Sequence, residues 1–146
     1  MSTYAFSKVS ASIVGPGGAF NIGYGSAVSA EGITIARAND IGTMTVGADG
    51  EVMHVLSSDK SGTVTVRLLK TSPENSKLMA MYDLQTTLSS SYGQNIITVV
   101  NKASGDVVTC RDVAFRKAPD LTYAKEGQPV EWVFNAGKID SILGIY

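Results

Sequence analysis

The chain has 146 residues and a mass of 15.3 kDa, which suits one domain around a single hydrophobic core. Twelve Lys and Arg residues against thirteen Asp and Glu residues give a net charge near −1, so the basic excess needed to hold a nucleic-acid backbone is absent. Charged residues form 17% of the chain, below the roughly 25% of typical soluble domains. This low charge favours a protein that associates with other copies.

The sequence also gives expectations about the cellular compartment. The N-terminal residues lack the basic and apolar regions of a signal peptide, and no apolar run approaches the roughly 20 residues of a membrane-spanning helix. Cys110 is the only cysteine, which excludes an internal disulfide and fits a reducing compartment. We expect a soluble protein made in the cytoplasm, without membrane insertion.

Short strands separated by turns are predicted for the first half of the chain. Alternating apolar residues predict a strand over residues 4–14, and the Gly-Pro-Gly-Gly sequence at 15–18 predicts a turn into a second strand. Residues 23–32 are small and polar, which predicts a loop. Asp49-Gly50 strongly indicates a hairpin over residues 43–56, because type I′ turns need positive φ at both central positions.

One helix is predicted, at about residues 73–89. Ser72 can cap its N-terminus, and Pro73 suits the first turn because its missing N–H has no intrahelical partner there. An apolar stripe is predicted from the spacing of Leu78, Met81, Tyr82 and Leu88.

The remaining segments again predict strands. Residues 96–101 and 107–115 predict a hairpin around the turn at 104–106, and we expect short strands at 121–123 and 130–135 before a tail at 138–146. The predicted fold is mainly β: an antiparallel β-sandwich or barrel-like subunit with one peripheral α-helix. One helix cannot supply the repeated crossovers of a parallel sheet.

Residues 95–100 are apolar on both faces of their predicted strand, as in a strand covered on both sides. Two explanations remain open at this point. A second sheet of the same chain covers the outer face, or another subunit does.

Candidate catalytic and ligand-binding residues do not form a recognisable site. His54 is the only histidine, which excludes a His-rich metal site, and no local motif pairs it with Cys110. The glycines of residues 15–25 lack the Gly-Lys-Ser/Thr sequence of a phosphate-binding loop. Asp49, Glu51 and Asp59 do not match a calcium-binding loop. We therefore expect no cofactor, no metal and no enzymatic activity.

Several segments, taken in order, resemble one known family, the tail tube proteins of contractile-tailed bacteriophages. The resemblance extends from residue 2 to residue 144 and is carried by GADGEVMH at 47–54, SGTVTVRLLKTSP at 61–73 and the segments at 93–95, 105–110 and 132–140. It implies one tail-tube domain over residues 1–146, with a fold also similar to the tube protein of type VI secretion. It further implies hexameric rings that stack into a hollow inner tube, the conduit through which the genome is ejected.

The partners implied by the resemblance are other copies of the chain, the tail sheath protein, the baseplate and tail-terminator proteins. Double-stranded DNA is expected to pass through the lumen without specific binding. The expected location is the virion tail, after synthesis in the host cytoplasm.

We expect three groups of residues to make the assembly contacts. An inter-ring hairpin is predicted from Met44, Val46, Asp49, Gly50, Glu51, Val52 and Met53. Terminal arms between subunits are predicted at Tyr4, Phe6, Ile145 and Tyr146, and a sheath-facing helix surface at Glu74, Lys77 and Asp83.

An alternative function belongs to a different class: a non-enzymatic β-sandwich binding module, such as a baseplate domain or a carbohydrate-contacting domain. Such a module would display clustered aromatic residues, whereas the six tyrosines and one tryptophan are dispersed along the chain.

Overall fold

A computed structural model describes residues 2–146, with only the backbone of residue 31. Seven strands form one antiparallel sheet in the order β2-β1-β7-β8-β9-β6-β3. Their bounds are β1 Val9–Gly15, β2 Gly18–Asn21, β3 Val28–Arg37, β6 Gly62–Leu68, β7 Asn95–Asn101, β8 Asp106–Lys117 and β9 Val130–Ile142. The mainly β prediction is confirmed, and the sheet is curled into a half-barrel.

The concave face of this sheet holds the core. Strand registers place Val66 opposite Trp132 and Val64 opposite Phe134, so these side chains share one face. Phe115 of β8 lies against both aromatic rings, at centroid distances of 5.9 Å to Trp132 and 4.8 Å to Phe134. All five residues are at most 1% exposed, and they close the interior of the curled sheet.

The helix α1, Glu74–Thr87, packs on the same concave face. Leu78 and Met81 are fully buried, and the ring of Tyr82 meets Phe115 edge to face at 5.6 Å. The helix prediction is confirmed, but Leu88 follows the helix and is exposed. Gln85, three residues earlier, is buried in its place, because an amide partner in β7 satisfies its polar group.

A two-stranded hairpin lies outside this sheet. Its strands, β4 Gly42–Val46 and β5 Val52–Leu56, pair antiparallel from Gly42 opposite Leu56 to Val46 opposite Val52. Every residue of both strands is exposed. The predicted hairpin is confirmed, and none of its side chains enters the core.

Some predicted boundaries were wrong. Residues 6–8 form a 3-10 turn before β1, and β3 already begins at Val28 within the predicted loop. The small residues there coincide with an irregular shift of register, between the pairs Val28 with Leu68 and Ile33 with Val66. Residues 121–123 are an exposed loop, whereas β9 extends through the predicted tail to Ile142. The tail residues follow β9 because β8 continues beside them.

Candidate functional site

The projecting hairpin exposes apolar side chains along both of its strands. Between 49% and 61% of Met44, Val46, Val52 and Met53 is accessible to solvent. Met44 and Met53 lie on opposite faces of the hairpin, because Met44 pairs with His54 and Met53 pairs with Thr45. Both hairpin faces therefore display apolar groups that the subunit itself does not cover.

The hairpin tip forms at the predicted residues, but the predicted type I′ turn is wrong, because Asp49 lacks the positive φ that this turn needs at both central positions. Gly50 adopts a φ of 88°, in the left-handed region that favours glycine, and its N–H donates to the carbonyl of Gly47 at 3.0 Å. The N–H of Glu51 donates to the Asp49 carboxylate at 3.2 Å. The tip therefore presents two acidic residues, Asp49 and Glu51, on either side of Gly50.

Two segments that flank the hairpin, residues 37–41 and 57–61, form its neck, and polar contacts join this neck to the sheet. The Arg37 guanidinium donates to the carbonyl of Ile139 at 2.5 Å and to the Ser141 hydroxyl at 2.9 Å. The N–H of Ile139 donates to the carbonyl of Lys60 at 2.8 Å. These bonds join both ends of the hairpin neck to β9, so the direction in which the hairpin leaves the sheet is fixed.

Asp59 connects the two sides of this neck. Its carboxylate accepts hydrogen bonds from the Ser61 hydroxyl at 2.6 Å, from the Ser61 N–H at 2.9 Å and from the Asn39 amide at 2.9 Å. The Ser61 hydroxyl makes the largest contribution and Asn39 the next, and together they lower the pKa of Asp59 from 3.8 to about 2. The ionised carboxylate thus holds the neck together at neutral pH.

The N-terminal arm lies at the opening of the half-barrel. Tyr4 and Phe6 border a cavity of about 250 Å³, and Phe6 meets Tyr24 edge to face at 6.2 Å. The other walls include Ile33 and Ile35 of the β3 edge, with Val9 of β1 opposite. The arm is placed where the two edges of the curled sheet fail to meet.

The C-terminal arm reaches the same opening. The Tyr146 hydroxyl accepts a hydrogen bond from the Asn101 amide at 2.9 Å, and the N–H of Gly144 donates to the Asp106 carboxylate at 2.7 Å. Tyr146 also borders the cavity, whereas Ile145 is 90% exposed. The structure thus brings Tyr4, Phe6 and Tyr146 together, and Ile145 points away from the subunit.

The predicted sheath-facing residues on α1 differ in exposure. Lys77 and Asp83 are exposed, whereas Glu74 is 8% exposed and pairs with Lys77 at 3.2 Å. One carboxylate oxygen of Glu74 has no hydrogen-bond partner among the described residues.

The residues considered for chemistry stay apart. His54 is exposed on β5, while Cys110 is buried in β8, and burial raises the pKa of its thiol to about 11, an effect that the Arg37 charge only partly offsets. Among the described side chains, no group of three or more His, Cys, Asp or Glu residues is placed to hold a metal ion. The described helices include none long and apolar enough to cross a membrane.

The comparisons with known proteins give the family. The family model described as bacteriophage PhiTE tail tube protein matches residues 1–144. The chain belongs to this phage tail tube family. The resemblance found in the sequence is therefore confirmed, and the tail tube subunit is a structural protein.

Solved structures support the fold of this tail tube subunit. A chain in the cryo-EM structure of the anti-feeding prophage cap, which terminates its tube, aligns with a TM-score of 0.60 at 6% identity, covering 99% of this chain and 95% of that one. A chain of the PVC sheath-tube complex, from an extracellular contractile injection system in its extended state, aligns with a TM-score of 0.60 at 10% identity, covering 97% and 92%. Among curated proteins, none matches the chain.

Sequence reasoning missed the polar neck of the tail tube hairpin. Arg37 and Asp59 gave no motif, since their partners at Ile139 and Asn39 are brought near only by the fold. A signal for Asp59 existed in the Asp-x-Ser spacing, because an aspartate often accepts a hydrogen bond from the backbone two residues later.

Proposed function

We propose that this tail tube subunit assembles into hexameric rings, and that the rings stack into the inner tube through which the genome is ejected. The observation that carries the proposal is the β4–β5 hairpin, a largely apolar element in which every strand residue is exposed, on a subunit of the tail tube family. A two-stranded hairpin alone in water is marginally stable at best, so an exposed apolar hairpin favours cover by another chain.

The subunit is suited to head-to-tail contacts. Its sheet ends at two different strands, β2 with four residues and β3 with ten, so the two edges are not equivalent. A contact between two different patches repeats from copy to copy, closing into a ring or extending as a filament according to its rotation. Such contacts would also cover strand edges that favour aggregation in a free subunit.

The predicted assembly residues take their roles in this proposal. The hairpin, from Met44 to Met53, contacts the next ring. Tyr4, Phe6, Ile145 and Tyr146 strap neighbouring subunits, and Ile145 is suited to this because it is 90% exposed. Glu74, Lys77 and Asp83 belong to the helix surface that would face the sheath, where Lys77 and Asp83 offer exposed charges.

The proposed partners follow the same argument. Chains of similar fold occur in a sheath-tube complex and in a sheath/tube terminator of one contractile injection system, and in the baseplate structure of another. We therefore propose a contractile sheath, a baseplate and a terminator as partners of one tail-tube domain over residues 1–146. Double-stranded DNA would pass through the lumen of the tube without specific binding. The subunit would be made in the host cytoplasm and would have no enzymatic activity.

Negative-stain electron microscopy of the purified protein across a concentration series tests this function. Hollow rings or stacked tubes with sixfold symmetry are the expected result, either spontaneously or after addition of a baseplate extract as nucleus. Uniform small particles under both conditions would contradict the proposal and favour the non-enzymatic binding module.

A further inference from the structure

One half of the outer sheet face is free of charge. The sequences of β1, β2 and β7 contain no Asp, Glu, Lys, Arg or His. The outward-facing side chains of these strands are uncharged and carry hydroxyl, amide or apolar groups; they include Ser10, Ser12, Val14, Asn21, Ile96, Thr98 and Val100. We call these seven residues the uncharged face.

The other half of the outer face differs in kind. Arg111 pairs with Asp140 at 2.8 Å, and Arg67 lies 3.7 Å from Glu131. Charged and paired groups are typical of a solvated sheet surface. The contrast indicates that the two halves of the outer face have different surroundings in the assembled protein.

The described part of the chain does not cover the uncharged face. Its inward neighbours are buried, as with Ile13 and Ile97, but Val14 and Ile96 are 49% and 43% exposed. Helix α1 packs on the opposite, concave face through Leu78 and Met81. Of the two explanations left open for residues 95–100, the second sheet of the same chain is therefore wrong, since seven of the nine strands lie in one sheet and the β4–β5 hairpin connects strands at its other edge.

The hairpin and the uncharged face lie at opposite edges of the sheet. The hairpin connects β3, the edge strand, to β6 beside it, whereas the uncharged face is formed at the β2 edge. A subunit thus carries an exposed apolar projection at one edge and an uncharged surface at the other. A heterologous contact requires two such different patches on each copy.

Charge at the margins of the two patches is complementary. Lys8 and Lys102 are neighbours at one end of the uncharged face, joined by a backbone hydrogen bond of 2.9 Å, and both are exposed. Neither forms a salt bridge with another residue of the described chain. The hairpin tip carries Asp49 and Glu51, so two unpaired lysines face solvent on one patch and two acids on the other.

The lysines and the hairpin neck also lie at the same end of the sheet. Strand β9 pairs with Gly62 at Ala136 and continues beyond it to Ile142. Ile142 is aligned across the sheet with Val107, Val100 and Ser10, so Lys8 and Lys102 lie at this end of the sheet. The neck is bonded to β9 at Ile139, within this same extension.

We infer that the uncharged face receives the β4–β5 hairpin of another copy of this chain, with the acidic tip near Lys8 and Lys102. This inference rests on the proposed tube assembly and names the surface that the hairpin binds. The contact buries the apolar side chains of one hairpin face without desolvating a charge in its centre, and its ion pairs remain at the rim.

Disulfide crosslinking between two single-site variants tests the inference. Met44→Cys or Met53→Cys on the hairpin is mixed in equal amounts with Thr98→Cys on the uncharged face, assembled, and oxidised with diamide. Both hairpin variants are needed because Met44 and Met53 lie on opposite hairpin faces. The expected result is a disulfide-linked dimer from at least one mixture, since Cys110 is buried and does not compete.

Thr65→Cys is the matched control, since it lies on the outer face of β6 in the charged half and is half-buried like Thr98. Tubes that form with no crosslink to Thr98→Cys, or with equal crosslinking to Thr65→Cys, would overturn the inference while leaving the tube function in place. If the unmodified protein forms no rings or tubes even with baseplate extract, the proposed function itself fails.

A charge exchange gives a second measurement that does not depend on cysteine geometry. Lys8→Glu with Lys102→Glu should reduce assembly, as should Asp49→Lys with Glu51→Lys. The fourfold variant restores opposite charges and should recover tubes at low salt. If the fourfold variant folds but does not recover tubes, the hairpin tip does not lie near Lys8 and Lys102.

Discussion

The side-chain amides of Gln85 and Asn95 donate hydrogen bonds to each other, at 2.6 and 2.8 Å, where both residues are fully buried. The Gln85 amide also donates to the carbonyl of Pro16 at 2.9 Å. Helix α1, strand β7 and the turn between β1 and β2 therefore meet at one polar point. Gly15 permits this approach, since a Cβ there would overlap the Asn95 side-chain oxygen.

Replacing Gln85 by Ala should lower the free energy of unfolding by about 2–3 kcal/mol, because the buried Asn95 amide loses its partner. Urea denaturation of the subunit measures the change. Gln94→Ala is the control: Gln94 is exposed and bonded only to the Ser90 carbonyl, so its effect should stay within about 0.5 kcal/mol. Equal effects at the two positions would show that the buried amide pair does not stabilise the fold.

Val46→Asp should abolish tube formation while leaving the subunit folded. Val46 pairs with Val52 on the exposed hairpin and contributes nothing to the core, so the unfolding free energy should change by no more than about 0.5 kcal/mol. Electron microscopy and urea denaturation check the two outcomes separately. Leu121→Asp, at an equally exposed site in the loop before β9, should leave assembly intact, and tubes of normal yield from Val46→Asp would contradict the hairpin role.

The neck of the hairpin should depend on acid pH through Asp59. Its pKa is lowered to about 2 in the folded chain, so its ionised form stabilises the neck above about pH 4, and this stabilisation declines as the pH falls towards 2. Carboxyl carbon chemical shifts measured by NMR should give a midpoint near 2. Ser61→Ala should raise the midpoint, since the Ser61 hydroxyl is the largest cause of the shift, and a midpoint unchanged from 3.8 in the unmodified protein would disprove the bonding.

Cys110 should resist thiol reagents in the folded subunit. Burial raises its pKa to about 11, so the reactive thiolate is scarce at pH 8 and the sulfur is out of reach. A thiol titration should find no fast-reacting group before denaturant is added and one afterwards. Thr98→Cys, on the outer face, should add one group that reacts without denaturant.

Gly144→Ala should release the C-terminal arm. A Cβ at this position would overlap the carbonyl oxygen of Ser104, so the Gly144 bond to Asp106 and the Tyr146 bond to Asn101 should both weaken. Carboxypeptidase should then remove the last residues faster than from the unmodified protein. Gly127→Ala is the control, since a Cβ there meets nothing within 4 Å, and equal digestion of both variants would argue against a docked arm.

The fold class and several turns could be predicted because their signals are local. The Asp49-Gly50 hairpin, the Ser72–Pro73 helix start and the Gly105 turn depend on residues a few positions apart, and the structure has all three. Strand ends were harder to predict. Strand β9 continues to Ile142 because β8 lies beside it, and no residue within the segment carries that information.

The candidate site likewise has some parts that the local sequence predicts and others that depend on the fold. Exposed hairpin residues follow from the turn and the strand alternation around it. The neck bonds of Arg37 with Ile139 join residues 102 positions apart, and the uncharged face combines β1 and β2 with β7, which is distant from them in the sequence. The placement of Leu88 on the apolar stripe of the helix was predicted wrongly. Helical spacing shows neither that the helix ends at Thr87 nor that the polar Gln85 has a buried partner.

The hairpin lies outside the core while its neck is bonded to the sheet, which has an evolutionary consequence. Substitutions between Gly42 and Leu56 can change which surfaces the subunit fits without altering the packing of Trp132 or Phe134. Folding of the subunit and the proposed binding between subunits thus depend on different residues. Changes at these fifteen positions, from 42 to 56, can therefore alter the proposed contacts between subunits while the interior of the half-barrel keeps its packing.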